Sequence, residues 1–184
     1  WLAPGEVRLG PGESLTSPDM LATCSNEGTS GVAWAFHRAM RQRITWPGGK
    51  MTPRPVHLNT WEGFYFKHDL AALKELASSA AEIGIERFVL DDGWFKGRDN
   101  DDSSLGDWQV DARKYPQGLE PLARHVTGLD MEFGLWVEPE MVNPDSDLCR
   151  AHPDWARHVD GRGVLGARHQ LVLDLPRPEV VHYL

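Results

Sequence analysis

The hydrophobic pattern changes its period near residue 55. Before that point short apolar runs alternate with polar residues and are cut by proline and glycine. Glu6-Val7-Arg8-Leu9, set between Pro4-Gly5 and Gly10-Pro11-Gly12, reads as a strand. Met20-Leu21-Ala22-Thr23-Cys24 and Val32-Ala33-Trp34-Ala35-Phe36 are further strand-like runs, so residues 1–36 are expected to be β structure. The last run is expected to pass into a short helix through His37-Arg38-Ala39-Met40. Residues 45–55, with Pro47, Gly48, Gly49, Pro53 and Pro55, are too rich in breakers for regular structure and read as a linker.

Beyond Pro55 longer periods take over. Val56-His57-Leu58-Asn59-Thr60-Trp61 reads as a strand. Over residues 69–83, Leu70, Leu73, Leu76, Ala77, Ala80 and Ala81 recur at helical spacing, and Gly84 stands where a helix C-terminus favours glycine. Residues 87–91 form a second strand. Residues 119–129 form a second helix with Leu122, Val126 and Leu129 on one face, and residues 132–137 a third strand. Residues 142–155 read as partly helical, with Asn143 as the cap and Pro144 at the first helical position. Leu171-Val172-Leu173 is extended, and a helix starts near Pro178.

Strand, helix, strand, helix, strand implies parallel strands joined by crossover helices. The helix-to-strand links are short and the strand-to-helix links long. Residues 93–118 hold no element of their own, and loops of that length are usually functional. In a (β/α)₈ barrel the loops after the strand C-termini build the active site. Acidic and aromatic residues collect there: Trp61-Glu62 after the first strand, Asp91-Asp92-Gly93-Trp94 after the second, and residues 136–140 after the third. A doubly wound open sheet, the competing architecture, calls for a glycine-rich phosphate loop after its first strand, and the sequence has none.

Composition narrows the partners. The chain has 184 residues, the size of one domain, and a formal net charge of -8, which argues against nucleic acid as a partner. No apolar run approaches the ~18 residues of a membrane span, and no signal segment opens the chain. Cys24 and Cys149 are the two cysteines and have no metal-ligand spacing. They read as reduced thiols, hence a cytoplasmic setting. Eight tryptophans are many for this length. They serve either the core or the apolar faces of sugar rings.

Asp91 and Asp92 follow the buried run Phe88-Val89-Leu90. Adjacent carboxylates repel, so core stability does not favour them there; gripping sugar hydroxyls does. Asp-Gly is equally a turn dipeptide, which would leave one Asp capping the loop backbone. On a continuing strand the two side chains face opposite ways, and only a backbone turn at Gly93 lets both reach one ligand. Glu138 and Glu140 flank Pro139 and are either an acid–base pair or groups that orient their neighbours. Arg168, in Gly166-Ala167-Arg168-His169-Gln170, offers rigid donors for a carboxylate or sugar hydroxyl; a solvated loop arginine is the plain alternative. The histidines show no metal spacing. Asp99-Asn100-Asp101-Asp102 lacks the features of a calcium loop and reads as a solvated charge run.

With these residues in view, the chain resembles the α-galactosidases of glycoside hydrolase family 36. The resemblance lies in Leu58-Asn59-Thr60-Trp61-Glu62, residues 88–95, Ser103-Ser104-Leu105-Gly106-Asp107-Trp108, residues 134–142, Pro144-Asp145-Ser146-Asp147-Leu148, Ala151-His152-Pro153-Asp154-Trp155 and residues 171–180. It implies a β-sandwich whose last strands are residues 1–44, a linker at 45–55, and at 56–184 the first part of a catalytic (β/α)₈ barrel, about three strands of it. It implies retaining hydrolysis of terminal α-linked galactose, as in melibiose and raffinose, with no metal and no organic cofactor, and a parent enzyme that is a homo-oligomer. In that pattern Asp91 and Asp92 bind galactose hydroxyls, Trp136 lines the sugar subsite, Arg168 reaches the substrate and Trp61 lies near the pocket.

The family's nucleophile is the aspartate of a Lys-Trp-Asp motif, and that motif does not occur in these 184 residues. A retaining mechanism needs two carboxyls about 5–5.5 Å apart. The expectation is therefore a truncated chain that carries the substrate-binding wall, holds no catalytic residue and is inactive alone. A non-catalytic carbohydrate-binding protein is the alternative from another class. An α-N-acetylgalactosaminidase or a galactosyltransferase of raffinose synthesis is the alternative within the same chemistry.

Overall fold

The computed structural model describes residues 7–158, 161 and 166–184. The expected turn at Pro4-Gly5 and the start of the first expected strand, Glu6, lie outside them. The chain divides into two compact units, Trp1–Arg54 and Pro55–Leu184.

In the first unit the β expectation is overturned. Among the described residues 7–54 no strand forms, and the main element is a helix, α1, Gly28–Arg43. Val32, Ala33, Ala35, Phe36 and Ala39 are its less exposed side chains. They stand at i, i+1, i+3, i+4 and i+7, one face of a helix. The run at 32–36 looks strand-like only in a five-residue window. Arg41 and Arg43 in the last turn complement the helix dipole.

The second unit is α/β. Strand β1, His57–Asn59, is followed by a short helix, α2, Trp61–Phe64, where the sequence pattern had continued the strand. Helix α3, Leu70–Glu82, matches its expected span. It is capped by Asp69, whose carboxylate accepts the Ala72 N–H at 2.8 Å. Strand β2, Arg87–Leu90, helix α4, Glu120–Thr127, and strand β3, Glu132–Leu135, complete the alternation. The sheet order is β1-β2-β3, all parallel, with Leu58, Phe88 and Phe133 in register. Parallel strands with crossover helices α3 and α4 are the repeating unit of a (β/α)₈ barrel.

Phe88 and Leu90 project into a core with Leu73 and Ala77 of α3 and Leu122 and Val126 of α4, all buried. Strand alternation then turns Val89 to the other face. This packing fixes where β2 ends, and so where Asp91 and Asp92 stand.

Residues 93–118 form no helix or strand. They are held by isolated bridges, Phe95 to Val110 and Ser103 to Asp145. A second, antiparallel sheet follows: β4, Met141–Val142, a helix α5, Asp147–Ala151, then β5, Gly166–Ala167, and β6, Gln170–Val172, in the order β4-β6-β5. Helix α6, Pro178–Tyr183, ends the unit. Val142, Leu148, Trp155, Leu173 and Val180 form a second core beneath this sheet. The partly helical reading of 142–155 holds at α5 and at a 3-10 turn, Pro153–Trp155. Ser146, not Asn143, caps α5, its Oγ accepting the Cys149 N–H at 3.0 Å. Asn143 is wholly buried and bonded elsewhere. Among the described residues no helix is long and apolar enough to cross a membrane.

Candidate functional site

At the C-terminal ends of β1, β2 and β3 lies a hollow of about 670 Å³. It is lined by Asn59, Trp61, Glu62, Phe66, Asp91, Asp92, Arg98, Asp101, Trp136, Glu138, Arg168 and Gln170. All five residues singled out from the sequence, Trp61, Asp91, Asp92, Trp136 and Arg168, are on its wall.

The two aspartates reach the same hollow because the strand stops at Leu90 and the chain turns. Gly93 has φ 109°, and a Cβ there would stand 3.0 Å from the Phe66 Cα and 3.2 Å from His68 Nε2. Only glycine fits that conformation and that space. The turn is held by several bonds. The Asp91 N–H donates to Thr60 Oγ1 at 3.0 Å, and the Asp92 N–H donates to Asp91 Oδ1 at 2.6 Å. Asp91 therefore caps the loop backbone, as the plain turn reading held, and also faces the hollow. Its other oxygen accepts from Asn59 Nδ2, while Asn59 Oδ1 accepts the Trp61 N–H at 2.8 Å. Asn59 thus orients an acid and a tryptophan together.

Asp92 is held by Arg98, a residue that no sequence motif marks. Arg98 Nε donates to Oδ1 at 2.9 Å and Nη2 to Oδ2 at 2.8 Å, and the two residues are 1% and 6% exposed. Arg98 Nη1 donates to the Ser103 carbonyl and to Asn143 Oδ1. The guanidinium carbon lies 5.4 Å from the Phe66 ring centre and 5.6 Å from that of Phe95. The signal open to sequence reading was no more than one of several cations in an acidic loop, six positions after Asp92. Its partners are set by tertiary structure. Lys114 pins the same region: Nζ donates to the carbonyls of Phe66, Gly93 and Arg98 at 3.0, 2.8 and 2.8 Å. With Asp99 it forms an ion pair at 3.0 Å, and Asp99 also pairs with Arg113. The run 99–102 is exposed throughout, as a solvated charge run; within it Asp99 is also paired and Asp101 borders the hollow.

Behind the wall His68 is enclosed. Its Nδ1 lies 2.7 Å from the Tyr115 hydroxyl, and Nε2 is buried without a partner. Burial, reinforced by the nearby Lys114 charge, lowers its pKa to about 4. Burial also raises the Tyr115 hydroxyl above its ordinary value.

Trp61, Trp94, Trp136 and Trp155 divide between the two roles. Trp94 and Trp155 are buried in the cores. Trp61 and Trp136 line the hollow, with Trp136 braced edge-on by Trp108 at 6.3 Å. The Trp136 carbonyl accepts from Trp94 Nε1 at 2.9 Å and its N–H donates to the Leu90 carbonyl. Glu138 is on the wall and Glu140 is not. Burial, then the Glu140 charge, pushes the Glu138 carboxyl above its usual pKa, and Gln170 Nε2 lies 3.4 Å from Glu138 Oε2.

Arg168 arrives on the two-residue hairpin between β5 and β6. Arg168 and His169 have φ of 55° and 59°, the left-handed pair that such a turn requires. A conformation unfavourable for L-residues is thus maintained where a guanidinium is presented to the hollow. Among the described residues no group of three His, Cys, Asp or Glu is placed to hold a metal ion. The arrangement offers carboxylate acceptors, guanidinium donors and two aromatic faces around one space. Carbohydrate rings, with hydroxyl edges and C–H faces, need that combination.

The known proteins that this chain is similar to are α-galactosidases. The family model described as Melibiase matches residues 14–184. Alpha-galactosidase of Escherichia coli is 49% identical over 185 residues, covering 100% of this chain and 26% of that protein. Alpha-galactosidase AgaA of Geobacillus stearothermophilus is 46% identical, covering 96% of this chain and 24% of that protein. The crystal structure of the GH36 alpha-galactosidase AgaB from Geobacillus stearothermophilus superposes with a TM-score of 0.77 at 48% identity, over 86% of this chain and 22% of that one. An AgaA variant in complex with raffinose superposes with a TM-score of 0.77 at 47% identity, over 85% and 22% of the two chains. The chain spans about a quarter of the length of the curated relatives it matches. With its motifs and its parallel strands both accounted for, the chain belongs to the Melibiase family and is similar to glycoside hydrolase family 36 alpha-galactosidases.

Proposed function

We propose that this chain forms the galactose-binding wall of an α-galactosidase that hydrolyses terminal α-D-galactosyl residues of melibiose- and raffinose-type oligosaccharides with retention. The observation that carries the reading is the convergence of Asp91, Asp92 and Arg168 with Trp61 and Trp136 on one hollow. Variants of the related alpha-galactosidase AgaA have been crystallised with raffinose and with stachyose, which supports the same substrate class here.

Each residue has a distinct task. Asp91 and Asp92 accept hydrogen bonds from sugar hydroxyls through the lone pairs left over by Asn59, the Asp92 N–H and Arg98. Arg168 donates from the facing side, and Trp136 and Trp61 cover the C–H faces. Because both aspartates are engaged by protein donors, they act as fixed acceptors, not as proton carriers. The nucleophile and acid/base belong to sequence outside the motifs present here, consistent with the absence of Lys-Trp-Asp from these residues. The cytoplasmic setting and a homo-oligomeric state belong to the same proposal; the free cysteines Cys24 and Cys149 support the former.

The test uses the complete protein bearing this sequence. Asp91→Asn and Asp92→Asn should each lower kcat/KM for a nitrophenyl α-galactoside by on the order of 100-fold, the loss of a charge-assisted hydrogen bond. The β-galactoside should not be cleaved by any form. Unchanged kcat/KM in both variants would remove the reading, and galactose binding without turnover would favour the non-catalytic alternative.

A further inference from the structure

Asn143 joins two parts of the sugar hollow through a chain of buried hydrogen bonds. It is 0% exposed and, in its side-chain amide, every donor and acceptor is used. Oδ1 accepts from Arg98 Nη1 at 2.9 Å and from the Leu105 N–H at 2.8 Å. Nδ2 donates to the His169 carbonyl at 2.8 Å and to the Asp101 carbonyl at 3.2 Å. Only one orientation of the amide satisfies this set, because the reversed one would meet donors with donors and acceptors with acceptors. On one side the chain continues through Arg98 to the carboxylate of Asp92. On the other it ends on His169, the residue next to Arg168 in the hairpin tip.

That tip needs an anchor. Two consecutive L-residues at positive φ are unfavourable locally, so the turn persists through contacts made elsewhere. Nδ2 of Asn143 supplies such a contact at the His169 carbonyl. We propose that Asn143 is a positioning residue that sets Arg168 against Asp92 across the hollow. The inference rests on the α-galactosidase reading above. Asn143 does not line the hollow; with Arg98 as its fixed end, it acts through the hairpin that carries Arg168.

Asn143→Asp tests it in the complete protein. The aspartate keeps the volume and the acceptor for Arg98 and Leu105, but turns an oxygen toward two carbonyls where the amide donated. KM for a nitrophenyl α-galactoside should rise about tenfold with kcat changed by less than about twofold, the pattern of lost uniform binding. Arg168→Ala should raise KM by more. In the Arg168→Ala background Asn143→Asp should add less than about twofold, since coupled residues are not additive. Equal effects of Asn143→Asp in both backgrounds, or none in either, would overturn the positioning role and leave the galactosidase reading standing. An Arg168→Ala variant with unaltered kinetics would overturn both. Should the aspartate variant not fold, Asn143→Ser, which reaches neither carbonyl and brings no charge, enters the same cycle with the same expectations.

Discussion

Asp92 and Arg98 meet fork to fork in the wall of the hollow, with both carboxylate oxygens engaged at 2.9 and 2.8 Å and both side chains out of water. A pair so placed is not simply a stabilising contact, since two charges have lost their hydration to form it. Its value lies in fixing the acid's orientation. Arg98→Met should destabilise the protein by about 3–5 kcal/mol, because Asp92 is left buried and unpaired. Adding Asp92→Asn should restore a large part of that loss while leaving α-galactoside binding impaired. Urea denaturation of the two variants, alongside KM, checks both statements; a double variant no more stable than Arg98→Met would show that the unpaired charge is not the cause.

Gly93 is the point at which the sheet becomes a site. Gly93→Ala places a Cβ at φ 109° within 3.0 Å of backbone, where nothing yields cheaply. The cost should be about 1–3 kcal/mol for the φ alone, with the close contact added. Because the turn carries Asp91 and Asp92, KM should rise together with the fall in melting temperature. A core substitution of equal destabilisation, such as Leu122→Ala, should lower the melting temperature without moving KM. Equal KM effects in the two variants would deny Gly93 its special place.

The legible parts of this protein are those set by neighbours in sequence. Leu70, Leu73, Ala77 and Ala80 announce α3 by local period, and Asp91-Asp92-Gly93-Trp94 announces the site because its members are adjacent. Arg98 and Asn143 were not legible, since the bond joining them spans 45 residues and no local pattern encodes it. Asn143 before Pro144 looks like a helix start; long-range partners and Ser146 win instead. Val32-Ala33-Trp34-Ala35-Phe36 misled for the opposite reason. A run of five apolar residues has no period of its own, and only Ala39 makes the helical face visible.

His68 gives the fold a dependence on acid. Its folded pKa of about 4 lies below the ordinary value of 6.5, so it is neutral in the native state and binds a proton on unfolding over that interval. The contribution is fully present above about pH 6.5, declines as pH falls toward about 4, and is level below that. Its size is of order 3 kcal/mol at most, since each tenfold change in proton affinity is worth about 1.4 kcal/mol. His68→Gln should therefore flatten the stability profile between about pH 6.5 and 4 while costing stability at neutral pH through the lost Tyr115 contact. Urea midpoints of both forms at about pH 7 and pH 4.5 decide it: a parent and variant with parallel profiles would assign the acid sensitivity to other groups.

The hairpin tip offers a change in the favourable direction. His169 has φ 59°, where an L-residue costs about 1–2 kcal/mol relative to its preferred regions, and its side chain is exposed, 3.6 Å from Asp102. Glycine removes that local cost but loses about 0.5–1 kcal/mol in chain entropy on folding. The net expectation for His169→Gly is a gain of about 0.5 kcal/mol. The backbone carbonyl that Asn143 holds is retained, so KM for the α-galactoside should stay within about twofold of the parent, a margin near the thermal energy. Arg168→Gly relieves the same conformation one residue earlier but deletes the guanidinium, and should bring stability without binding. Thermal melts and kinetics of the two variants separate backbone relief from ligand contact. If His169→Gly weakened binding as much as Arg168→Gly, the exposed imidazole and not the turn geometry would be what the substrate requires.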